Sequence, residues 1–195
     1  MKPIHAMTFS ALLACLAPTG TAGAADAQTP TLVINGCPIW PYTRCPGVDL
    51  RHAELSAMDL AGADLTGANL VRADLRSANL AAATLDRADL SSARLQKANV
   101  PAASFRGARL VGTDFEFARL FRSDFTDADL SNANLEAARP QLARFFGARL
   151  INTNLQETKF GGADFRGATM DGCLLRYTVF LDANLDGCHG CPTDW

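Results

Sequence analysis

From Val48 to Gly187 the chain is written in units of five residues. A large apolar residue stands at every multiple of five from Leu50 to Leu185, 28 positions in all, with Leu at 18 of them and Phe at seven. Val100, Met170 and Pro140 fill the other places. Two residues before each stands a residue that is mostly small, Ala in 20 cases and otherwise mostly Thr, Ser or Cys, and between the two the first units place a polar one: Asp49, Glu54, Asp59, Asp64, Asn69, Asp74, Asn79. A step of five turns an α-helix by about 140°, so the leucines would visit every face. On a flat strand an odd step puts successive leucines on opposite faces. Neither element buries the whole row. A chain that bends inward at the same angle after every unit does, with the large and small residues pointing in and the polar residue between them pointing out. The pattern therefore predicts an all-β solenoid.

The units have the form A(D/N)LXX, as in Ala63-Asp64-Leu65-Thr66-Gly67 and Ala73-Asp74-Leu75-Arg76-Ser77. This resembles the signature of the pentapeptide-repeat family, over about 140 of the 195 residues. The resemblance implies a right-handed quadrilateral β-helix with four units per coil, hence about seven coils. The sequence carries its own sign of four, because Phe105, Phe125, Phe145 and Phe165 are spaced by 20 and would stack in one column. Layers about 4.8 Å apart make the rod roughly 34 Å long. Gly67, Gly107, Gly147, Gly167 and Gly187 share another column, where the turn is expected to need φ > 0. Pro140 lacks the N–H of a coil-to-coil ladder, which predicts a local bulge with Leu142 turned toward the gap.

Residues 1–24 resemble a secretory signal: Lys2, an apolar run from Ala6 to Ala17, then Ala22-Gly23-Ala24 as a cleavage site. That run is too short to span a bilayer, and no transmembrane segment is expected later. A periplasmic or secreted protein, cleaved near Ala24, is the expectation. Leu12-Leu13-Ala14-Cys15 also resembles a lipobox, but the apolar run continues past Cys15 to a better site, which disfavours a lipoprotein. Residues 25–47 form an N-terminal segment and cap, with a turn at Asn35-Gly36. Ile39, Trp40 and Tyr42 are expected to cover the open end of the first coil, held by a Cys37–Cys45 bridge that stabilises by roughly 2.5 kcal/mol.

Five cysteines follow the signal, so at least one lacks a partner within the chain. Cys173 stands at a small inward position and reads as a core thiol. Cys188 and Cys191, in the tail 188–195, have the C-x-x-C spacing of redox pairs, with His189 between them. No thioredoxin-like βαβ pattern surrounds them, and a structural zinc wants four ligands. A C-terminal cap is the reading for Cys173, Cys188 and Cys191, and a thiol redox protein is an alternative function.

No catalytic constellation is present. The histidines are His5 in the signal, His52 in the first coil and His189 in the tail, so none stands mid-rod, and the many Asp residues are explained by the repeat. No enzyme activity, cofactor or metal is expected. Some cytoplasmic members of the family mimic DNA and bind type II topoisomerases, a mode that needs a dominant negative field. Between Val48 and Gly187 there are 18 acidic and 16 basic residues, and only eight residues follow to supply the dimerising helix those members carry. The DNA mimic is thus the alternative and not the main reading, and the net charge also speaks against binding nucleic acid.

The side carrying Leu60, Leu80, Val100, Leu120, Pro140, Phe160 and Phe180 differs from the rest. Its turns are short of charge, and its outward positions become Arg119, Arg139 and Lys159. Phe121 and Leu142 are expected to stand out from it, with Arg119, Arg122 and Arg139 at the rim of a partner-binding surface. These features predict an exported, non-catalytic solenoid that serves as a rigid interaction or structural module and takes an unnamed protein partner of the cell envelope. Such a face also suits a homo-oligomer.

Overall fold

The computed structural model describes residues 32–193. The expected signal segment 1–24, its Ala22-Gly23-Ala24 site and Cys15 lie outside the described residues. The first described element is a hairpin. Strand β1 (Val33–Ile34) pairs antiparallel with β2 (Cys37–Pro38). Asn35 and Gly36 between them have φ of 50° and 79°, as a two-residue turn that follows the strand twist requires.

From Arg44 onward every outward residue except Arg139 bridges in parallel to the residue 20 positions later: Arg44 to Asp64, Asp49 to Asn69, and so on to Thr169 with His189. Four pentapeptides per coil follow directly. The ladder begins before Val48 and ends after Gly187, because Thr43-Arg44-Cys45 and Cys188-His189 adopt the repeat geometry without its sequence signature. Large central residues from Leu50 to Phe165 are buried, with the small inward residues beside them.

The five-residue unit closes an account of its own N–H groups. In the unit Ala63-Asp64-Leu65-Thr66-Gly67, the Leu65 N–H reaches forward to Thr84 O at 2.8 Å, and the Gly67 N–H reaches Asp86 O at 2.8 Å. The Asp64 N–H reaches back to Thr43 O at 2.8 Å, and the Ala63 N–H closes the preceding turn on Leu60 O at 3.1 Å. The Thr66 N–H is left, and it donates to the Asp64 carboxylate. Asp and Asn recur at the outward position because they complete this set.

Every turn places its second residue in the left-handed region. Nineteen non-glycine residues from His52 to Asp182 do so there, so the requirement is general and not confined to the glycine column. Gly62 answers a further demand: a Cβ there would run into the Tyr42 ring, which is laid over it. Tyr42 is thus 76% exposed and Trp40 48%, while Ile39 is buried. Of the three expected cap residues, Ile39 alone is buried; Tyr42 is held outward by its own turn, at φ 60°.

The expected bulge at Pro140 is absent. Pro140 is buried in register, its turn is closed by Ala143 N–H on Pro140 O at 3.1 Å, and Leu142 lies on the outside at 46% exposure against Gly162. The cost is confined to the ladder. Arg139 and Lys159 form no bridge, and the remaining Lys159 N–H to Ala138 O bond is long, at 3.3 Å. Four turns of fixed length set the register, and one missing N–H does not overcome them.

Candidate functional site

The side built on Leu60, Leu80, Val100, Leu120, Pro140, Phe160 and Phe180 changes character halfway along. In its first half the outward residues form a ladder: Asn79 Nδ2 donates to Asp59 Oδ1 at 2.8 Å, and Asn99 Nδ2 to Asn79 Oδ1 at 2.9 Å. Then come Arg119, Arg139 and Lys159, all exposed. Among the described residues none of these three takes part in a salt bridge, whereas Arg51, Arg76, Arg109, Arg144 and Arg166 each pair with an Asp. On each of the other three sides a cation has an acidic neighbour one coil above or below, as Arg94 lies between Asp74 and Asp114.

The turns beside this column stack as well, through Arg122 N–H on Gln141 O at 3.0 Å and Leu142 N–H on Gly161 O at 2.9 Å. Phe121 is 42% exposed, and the Arg122 guanidinium lies over its ring, 5.0 Å from the centroid. Leu142 borders a depression lined also by Ala102, Arg122, Asp124 and Arg144. The five residues singled out from sequence, Arg119, Phe121, Arg122, Arg139 and Leu142, therefore lie on adjacent layers of one side and its corner.

The cysteines fall into two places. Cys37 and Cys45 are bonded at the N-terminal end, Cα atoms 5.7 Å apart, next to Asn35, whose Nδ2 donates to Asp49 O. Cys188 and Cys191 are bonded in the tail, and Cys191 Sγ lies 2.9 Å from Met170 Sδ. Cys173 is the free cysteine among the described residues. Its Sγ donates to Leu150 O, the bond that Thr153 and Thr113 make to Leu130 O and Leu90 O from the same position in earlier coils. Burial pushes its thiol pKa up, away from thiolate chemistry.

Sequence reasoning passed over the last coil. Leu174 and Val179 stand at outward positions, where the other units are polar or charged, and they are 55% and 45% exposed. Tyr177 and Leu181 project beside them. The signal was an apolar residue immediately before a large central one. Among the described residues no group of His, Cys, Asp and Glu could hold a metal ion, and no helix is long and apolar enough to cross a membrane.

The model of the pentapeptide repeats matches at residues 43–81, 68–107, 102–136, 143–176 and 153–189. This chain belongs to the pentapeptide-repeat family, and its fold is a right-handed quadrilateral β-helix. The matched segments leave out 137–142, the stretch containing Pro140. Among solved structures, a trypsin-treated form of QnrB1, a plasmid-mediated fluoroquinolone resistance protein, is similar at 20% identity. The alignment covers 76% of this chain and 80% of that one, with a TM-score of 0.62. HetL, a pentapeptide-repeat protein involved in heterocyst differentiation regulation in the cyanobacterium Nostoc sp. strain PCC 7120, aligns at 25% identity over 76% of this chain and 89% of its own, TM-score 0.33. A pentapeptide-repeat protein of the Arabidopsis thaliana thylakoid lumen aligns at 31% identity over 59% and 63%, TM-score 0.29. No curated protein matches the chain.

Proposed function

We propose that this β-helix is an exported, rigid protein-interaction module of the cell envelope, and that it docks its partner on the side bearing Arg119, Phe121, Arg122, Arg139 and Leu142. One observation carries the reading: two large apolar side chains stand exposed there beside a column of cations without counter-charges. An apolar centre with an Arg-rich rim is the composition of docking surfaces. Export is supported by the residues 1–24 of the sequence and by two disulfides, which persist in oxidising compartments. Intact-mass analysis should give a mature chain beginning at Ala25 or Asp26. The tagged mature chain should retain a defined partner from the envelope fraction but not from the cytosolic one; the full-length mass, or capture from cytosol alone, would contradict the reading.

The likeness in fold to QnrB1 favours a second reading, a topoisomerase-binding DNA mimic. Against it stands a rod on which the 18 acidic and 16 basic residues between Val48 and Gly187 nearly balance, which leaves no dominant negative field. Inhibition of gyrase supercoiling by the purified protein would establish this second reading in place of the first.

A further inference from the structure

We infer that the Arg119–Arg139–Lys159 column binds the carboxylates of an acidic protein segment, which take the place of the Asp side chains the repeat has there elsewhere. The inference rests on the docking side just proposed and names the chemistry of its partner. In a regular unit the outward Asp or Asn accepts the N–H two residues on, as Asp59 does from Ala61 and Asn79 from Ala81. Where Arg119, Arg139 and Lys159 stand, no such acceptor exists. The N–H groups of Phe121, Gln141 and Gly161 accordingly have no acceptor among the described residues. Three successive layers thus each offer a cation and an unused N–H at the place where a carboxylate is held elsewhere in the rod. Stacked like charges about 4.8 Å apart in water repel by roughly 1 kcal/mol per neighbouring pair, so an anion bound between them relieves a cost already present.

Phe121 and Leu142 favour a polypeptide as the source of these carboxylates, since Leu142 offers a nucleic acid neither charge nor a stacking face. Proteins that hold DNA by its backbone commonly make on the order of 6–10 phosphate contacts, well beyond this column of three.

The test uses the mature chain and a fluorescein-labelled peptide of six Glu-Leu repeats, read by fluorescence anisotropy at low and high salt. Binding is expected at low salt and should weaken in high salt. In the triple variant Arg119→Asn, Arg139→Asn, Lys159→Asn it should weaken at least about tenfold, while the unfolding temperature stays the same or rises. The new amides would restore the missing bonds and extend the Asp59–Asn79–Asn99 ladder. A control variant, Arg109→Asn with Arg149→Asn on another side, should bind as the parent does. Absence of peptide binding, equal binding by the triple variant, or tighter binding of a 20-base-pair DNA duplex than of the peptide would overturn the inference. If peptide binding fails while the envelope partner is still captured through Phe121 and Leu142, the docking side stands and only its chemistry falls.

Discussion

Each residue of the repeat has a physical task, and the tasks predict which substitutions matter. The Arg76 side chain, donating into the buried Asp74 carboxylate, holds its pKa below the ordinary 3.8. The Arg51 and Arg166 side chains and the Thr66 hydroxyl do the same for Asp49, Asp164 and Asp64. A depressed carboxylate contributes stability that is complete above its unfolded pKa and is lost as pH falls through the folded one. Thermal stability should therefore be flat from neutral pH to about 5 and fall below about pH 4. Asp74→Asn, which keeps the acceptor for the Arg76 N–H but loses the charge, should show a smaller acid loss in melts recorded across that range. The turns offer a second test. Ala82 sits at φ 55°; relief of its left-handed strain, offset by the entropy of glycine, should make Ala82→Gly neutral to about 1 kcal/mol stabilising in urea unfolding. Clear destabilisation would mean that the turn tolerates side chains without strain.

At the scale of the coil, the phenylalanine column is the firmest expectation met. Phe105, Phe125, Phe145 and Phe165 stack at centroid distances of 5.0, 5.0 and 4.7 Å, with Phe115 set edge-on to the first two. Phe125→Ala should cost roughly 3–5 kcal/mol and Phe121→Ala under about 1 kcal/mol, measured by chemical denaturation. Equal losses would contradict the four-unit coil. Pro140→Leu restores an N–H opposite Lys159 O without asking the coil to move, and should stabilise by about 1 kcal/mol. The spacing of Phe and Leu made the coil legible in the sequence because burial tolerates no slip of register. The missing N–H of Pro140 predicts a bulge by a local rule, but the neighbouring turns of fixed length hold the register against it. Tyr42 was misplaced because its aromatic character hid the fact that it occupies a turn position in register with Gly62.

Along the described coils, the repeat makes a scaffold whose interior is apolar throughout and whose exterior is free to vary. Function therefore has to be sought in departures from the repeat: the unpaired cations and exposed apolar pair midway along one side, the exposed Phe117 and Phe146, and the apolar outward residues of the last coil. The first was legible, since charge at outward positions can be counted along columns of 20. The absence of acceptors for the Phe121, Gln141 and Gly161 N–H groups needed the hydrogen-bond account of the folded coil. The measurement that tests the central claim most directly is the double variant Phe121→Asp, Leu142→Asp, followed in parallel by thermal unfolding and by capture of the envelope partner. Both side chains lie on the surface, so the account predicts an unfolding temperature within a few degrees of the parent together with loss of capture. A variant that stays folded and still holds the partner would contradict it, and would move the binding surface away from this side of the rod.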